Sequence, residues 1–149
     1  MREILFRGMT VNGKFVEGNL SILKNDLRYS IKIDKGCYIS NSCGAPFAYQ
    51  VRPDTVGQFT GLVDKHGRKI FEGDIVKITD HTIKETFESC GDLVTMLMTR
   101  TYEVFWNATK WSIKSLEPML AVDPLIFDLP TNHVTYEIIG NIHDQKEDV

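Results

Sequence analysis

Cysteine is scarce and unpaired: Cys37, Cys43 and Cys90 are odd in number and form no CxxC pair. Disulfide-stapled secreted domains usually carry an even set, so a reducing compartment, the cytoplasm, fits better. No stretch approaches 18 consecutive apolar residues, which excludes a transmembrane helix. Met1-Arg2-Glu3 leads straight into Ile4-Leu5-Phe6-Arg7, too short an apolar run for the core of a signal peptide. Positive charge is also in short supply. Seventeen Lys and Arg stand against 20 Asp and Glu, giving a net charge of −3, and the cations are scattered. Broad binding to a phosphate backbone needs a basic surface, so nucleic acid is a poor match as the main partner. Neither GxGxxG nor GxxxxGK[ST] occurs, so nothing cradles a nucleotide.

What remains is enough for a stable core. A chain of 149 residues is most simply one domain, or one barrel with a β extension. It should bury roughly 68–70% of its unfolded surface without staples. Residues 1–56 read as a β-meander. Ile4 and Phe6 alternate, Asn12-Gly13 signals a type I′ hairpin turn, and Phe15 to Leu20 returns. A second hairpin is expected for Tyr29–Ile33 and Gly36–Ile39 around Asp34-Lys35-Gly36. Residues 40–46 are loop-like, and Pro53-Asp54-Thr55 is a turn. Residues 80–100 suit either long strands or a short helix. A hairpin is expected for Tyr102–Trp106 and Trp111–Leu116 around Asn107–Lys110. Pro118, Pro124 and Pro130 make 117–132 an irregular connection. Tyr136–Ile142 reads as the closing strand, and 144–149 as a charged tail.

The stretch GQFTGLVDKHGRKIFEGDIVKI, from Gly57 to Ile78, is the most informative in the chain. Asp64 with Gly67 three residues on predicts a type I turn closed by a glycine bulge. Glu72-Gly73-Asp74 predicts a tight bend into the strand Ile75–Thr79. This is the signature of a small β-barrel core.

Several catalytic and metal readings compete with that one. Glu72 and Asp74, two residues apart, could form an acid–base pair or bind a metal. The structural reading is the stronger, because a short acid after a glycine accepts backbone N–H groups at a bend. The GDIV string also occurs in barrel-shaped serine–lysine peptidases, which need a Ser nucleophile beside a Lys base. Lys77 follows the string, but Ser21, Ser30, Ser40 and Ser42 lie in no nucleophile-like context. Cys37, Cys43 and Cys90 with His66, His81, His133 or His143 lack the short ligand gaps of structural zinc sites. No cofactor, metal or catalytic residue is therefore assigned.

The best binding candidates are Tyr102, Trp106 and Trp111. Alternation puts Tyr102 and Trp106 on one face of the hairpin and Phe105 on the other. An exposed Trp and Tyr there would anchor a partner chain. Lys110 and Lys114 flank Trp111, which keeps nucleic acid as the second partner class.

Three ordered motifs carry a resemblance over nearly the whole chain. Ile4-Leu5-Phe6-Arg7-Gly8 is similar to the opening strand of the YopX family of phage and prophage proteins. Thr60, Gly61, Leu62, Asp64, Gly67, Ile70, Glu72, Gly73, Asp74, Ile75 and Val76 match its central box. Tyr136 to His143 resembles its terminal strand. Residues 79–102 match least. The resemblance implies a mainly β protein with little helix, an SH3-like barrel over 57–143 and an N-terminal meander, working in a bacterial host cell. It leaves the biochemical role unassigned and carries no catalytic residue over, so an unidentified enzyme stands third, behind an interaction module and a nucleic-acid-binding barrel. The expectation is a non-enzymatic, homo-oligomeric interaction module that binds a phage or host protein and no membrane, because short barrels leave strand edges that must be covered.

Overall fold

The computed structural model describes residues 3–27, 32–41, 48–89, 92–116 and 134–144, with the backbone alone over 82–98. Residues 29–31 of the expected second hairpin (Ser30 among them), Ser42, Cys43, Cys90, His133, most of the 40–46 loop, all of the 117–132 connection and the tail beyond Asp144 lie outside the described residues. Ten strands account for most of what is described: β1 (Phe6–Met9), β2 (Phe15–Leu23), β3 (Gly36–Ser40), β4 (Ala48–Val51), β5 (Gly57–Val63), β6 (Lys69–Phe71), β7 (Asp74–Ser89), β8 (Asp92–Asn107), β9 (Lys110–Ser115) and β10 (Val134–Asn141). One 3-10 turn, Pro53–Thr55, is the only helical segment among them. The mainly β reading holds. Among the described residues no helix is long and apolar enough to cross a membrane.

The chain divides into two compact units between Gly61 and Leu62. The division falls inside β5, five residues beyond the start expected for the barrel. In the first unit the strands run in the order β4-β3-β2-β1-β5, all antiparallel. The β1–β2 turn departs from the expected type I′. Gly13 N–H donates to the Thr10 carbonyl at 3.0 Å, Thr10 N–H to the Lys14 carbonyl at 2.9 Å, and only Gly13 has positive φ, at +75°. A type I′ turn needs positive φ at both central residues. Here the loop is one residue longer, so Asn12 stays right-handed and Gly13 alone reverses the chain.

The second hairpin is also paired differently. β3 lies between β2 and β4, with Leu23 opposite Gly36 and Cys37 opposite Val51, and Ile33 bridges Leu27. Asp34-Lys35-Gly36 suits a hairpin turn, but β2 supplies the partner strand that β3 needs. The end of β4 curls back to β1 through a lone bridge between Thr10 and Val51, and Arg52 N–H donates to the Met9 carbonyl at 2.8 Å. Met9, Ile39 and Val51 form the buried centre. The Thr55 hydroxyl serves it from the side, accepting from Met9 N–H at 2.8 Å and donating to the Arg52 carbonyl at 2.7 Å.

In the second unit one antiparallel sheet runs β10-β7-β8-β9. Cross-strand partners build its core in rows: Ile138, Val76 and Tyr102 form one, Val104 with Ile113 the next. Ile70 completes the cluster, with Leu62, Ile78 and Tyr136 packed against it. All the strand members obey period-two alternation, as one buried sheet face requires. The ambiguous 80–100 stretch is strand wherever it is described. β7 and β8 are 16 residues each and pair as far as Ser89 opposite Asp92, with three extra β7 residues between Asp80 and Lys84. A barrel closes when its first and last strands pair. β9 and β10 instead stand at opposite edges, so the described residues form no closed barrel and lend the SH3-like expectation no support.

Candidate functional site

The two signature segments of the second unit meet, and their polar groups are spent on each other. Asp64–Gly67 makes the expected turn: Gly67 N–H donates to the Asp64 carbonyl at 2.9 Å, Asp64 N–H to the Arg68 carbonyl at 2.8 Å, and Gly67 has φ +78°. The buried Asp64 carboxylate accepts from His66 N–H, Arg68 N–H and the Arg68 Nε, each at 2.8–2.9 Å. It also reaches Ile138 N–H on β10 at 3.3 Å. The Arg68 guanidinium donates to the Ile138 carbonyl at 2.7 Å, and Lys65 N–H to the Tyr136 carbonyl at 2.8 Å. The turn thus occupies the outer edge of β10, which would otherwise offer an open strand. Beside it, the Lys65 ammonium at 2.8 Å holds the partly buried Glu137 carboxyl below its usual range, with His66 3.7 Å away. Burial raises the pKa of the Tyr136 hydroxyl.

Burial alone would raise the Asp64 carboxyl as well. The N–H donors of Arg68, His66 and Ile138 overcome it and bring the pKa down to about 2 from 3.8. A carboxyl with a depressed folded pKa stabilises the fold above its unfolded pKa, and loses that contribution as pH falls through the folded one. Wild type is expected to exceed Asp64→Asn by about 1–2 kcal/mol at neutral pH, less than the full shift implies because Arg68 is half exposed and screened. Urea midpoints of the two proteins should converge between pH 4 and pH 2. A gap unchanged over that range would show that the charge is irrelevant.

Glu72-Gly73-Asp74 forms the expected tight bend. Gly73 has φ +84°, its N–H donates to the Val104 carbonyl at 2.8 Å, and its carbonyl accepts from Ile142 N–H at 2.9 Å. Asp74 is 1% exposed; its Oδ2 accepts from Phe71 N–H at 2.8 Å and its Oδ1 from the Asn141 Nδ2 at 3.1 Å. Glu72 enters none of these bonds. A Cβ on Gly73 would sit 3.4 Å from Asn141 and Ile142 side chains, so conformation is the main obstacle. Gly73→Val is expected to cost about 1–3 kcal/mol, read as a lowered melting temperature. An unchanged melting temperature would count against the bend.

The three aromatic candidates separate. Tyr102 lies inside the core cluster, while Trp106 and Trp111 face each other across β8 and β9, ring centroids 4.9 Å apart in an edge-on arrangement. Trp106 is 44% exposed. Trp111 is buried and its Nε1–H has no acceptor. Alternation puts Tyr102 and Trp106 on one face, but it does not tell the covered middle of a strand from its open tip. Lys114 stands opposite Glu103, which offsets the charge it would offer to a phosphate.

Sequence reasoning missed a cavity of about 580 Å³ in the first unit. It lies between the β1–β2 turn, the start of β2, Asn41 and the pair Tyr49-Gln50. Those segments are far apart in the chain and carry no motif, so no pattern announces them. Among the described residues no group of three His, Cys, Asp or Glu is placed to hold a metal ion. Cys37 is a free, partly buried thiol, His81 meets the Thr135 hydroxyl at 3.1 Å, and the His143 N–H donates to Asn141 Oδ1 at 2.9 Å.

No curated protein matches the chain. Among solved structures it is similar to protein EF1440 from Enterococcus faecalis, at 20% identity over 99% of this chain and 98% of that one, with a TM-score of 0.44. Likeness that remote carries no argument about function. The family model described as YopX protein matches residues 6–147, which takes in the opening strand, the central box and β10 together. The chain belongs to the YopX family.

Proposed function

We propose that this is a non-catalytic, self-associating interaction module of phage or prophage origin, working in the cytoplasm of a bacterial host and binding a phage or host protein. The observation that carries the reading is the unequal treatment of the second sheet's two edges. β10 is closed off by the Asp64–Arg68 turn. Along Lys110–Ile113 no strand pairs with the outer side of β9 among the described residues, and the exposed Trp106 sits at that end. Edge strands left open are the usual sites of strand addition, and aromatic anchors dominate contact energies. A second copy covering Trp106 would remove its exposed ring from water. Light scattering after size exclusion at tens of micromolar is expected to give a dimer or larger species, reduced to monomer by Trp106→Ala. A wild-type monomer would refute the self-association.

Nucleic-acid binding is the second reading, favoured by Lys110 and Lys114 around Trp111. Phosphate contacts impose a steep salt slope. A labelled duplex that shifts in low salt and is released by added salt would favour this reading over the first.

A further inference from the structure

Successive residues of a strand point to opposite faces, so a cavity lined by consecutive ones runs along the strand's edge, where main-chain N–H and C=O groups lie. The cavity of the first unit has this character twice. Tyr49 and Gln50 line it from β4, and Phe15, Val16 and Glu17 from β2. β4 pairs with β3 on one side, and on the other only Val51, at its end, bridges Thr10. β2 pairs with β1 over Phe15–Glu17, whereas β3 joins its other side only from Asn19. Two unpaired main-chain edges therefore border one hollow among the described residues. Asn41, also in the lining, has a buried Oδ1 acceptor without a donor. At the rim two exposed side chains with apolar surface stand among polar neighbours: Val11, 81% exposed, and Tyr49, 43%.

We infer that this cavity receives an extended peptide segment of a partner protein, added as a strand beside β4 with an apolar side chain seated between Val11 and Tyr49. The inference rests on the interaction-module reading and moves its contact to a different surface. A peptide is the ligand that offers alternating N–H and C=O groups to an open edge, a donor for Asn41 and an apolar side chain for the rim. The volume falls within the ~300–1,000 Å³ of built ligand sites. Charge argues against a phosphate-bearing ligand, since Lys14 is matched in the lining by Glu17.

The probe is a displayed library of random peptides panned on the immobilised full-length protein, followed by titration of a synthetic copy of the enriched sequence. Binding is expected to weaken by about tenfold or more in Tyr49→Ala and in Val11→Asp, both exposed positions where folding should survive. It should weaken similarly when alternate peptide nitrogens are methylated, which removes main-chain donors and keeps the side chains. Trp106→Ala should leave it unchanged. Enriched peptides that ignore Tyr49 and Val11 but fail on Trp106→Ala would overturn the cavity inference and keep the module reading. No enriched sequence from the library would overturn the inference. If wild type is also a monomer, the module reading falls with it. Binding insensitive to N-methylation would sink the strand-addition geometry.

Discussion

Gly18→Ala is expected to cost about 3 kcal/mol, the largest loss from a single added methyl group among the described glycines. Gly18 faces Phe6 on β1, and the next residue, Asn19, begins the pairing with Ser40 on β3. A Cβ built there lies 1.9 Å from the Ser40 carbonyl oxygen and 2.6 Å from its carbon. Those atoms belong to the backbone, so no rotamer change relieves the overlap. β3 would have to move away from β2 and disturb the pairing that carries Ile39 into the core of the first unit. At this chain length the loss corresponds to roughly 6–12 °C in melting temperature. Gly13→Ala is the comparison. It has open space around it, so only the left-handed turn conformation resists, at about 1 kcal/mol. Equal losses for the two variants, by urea or thermal unfolding, would show that the strands are less tightly apposed at Gly18 than the structure has them.

Gly18 also marks the limit of what sequence reading reaches. The Asp64–Gly67 turn and the Gly73 bend were legible because each acid has a local bond beside its glycine: Asp64 accepts from Arg68 N–H and Asp74 from Phe71 N–H, whereas the bonds to Val104, Ile138, Asn141 and Ile142 left no sign in the sequence. Gly18 lies in a run that reads simply as a returning strand, and its reason for being glycine is Ser40, 22 residues on. The same distinction explains the other departures. Apolar spacing over 80–100 fits a helix or a strand equally, and only pairing of β7 with β8 decides it. Asn12-Gly13 indicates a hairpin whichever turn is used; whether the loop has two residues or three is set by the register Met9–Phe15. Within the aromatic hairpin, composition and alternation could not grade Tyr102 from Trp106 by depth. The cavity, assembled from residues 10–12, 14–17, 41 and 49–50, left no trace in any window.

Asp74→Ala is the other large effect, about 2–4 kcal/mol, and it bears on whether the acids of the central box do chemistry. The carboxylate satisfies two buried donors at once: Phe71 N–H at the end of β6 and the Asn141 side-chain amide at the end of β10. Removing it leaves both without their acceptor in a site that water does not reach, and a buried donor left unsatisfied costs about 1–3 kcal/mol. Asn141 is otherwise committed, accepting from His143 N–H through Oδ1 and donating its own N–H to Asp144, so it cannot turn elsewhere without further loss. Asp74→Asn should fall between, since one oxygen is kept and the new amide presents N–H groups to a donor. Glu72→Gln should change little, because Glu72 takes no part in these bonds. Added magnesium or zinc should leave the wild-type melting temperature where it was. If Glu72→Gln destabilises as much as Asp74→Ala, or a divalent ion raises the melting temperature and either substitution abolishes the rise, the two carboxylates act together on an ion, and the bend is a site after all.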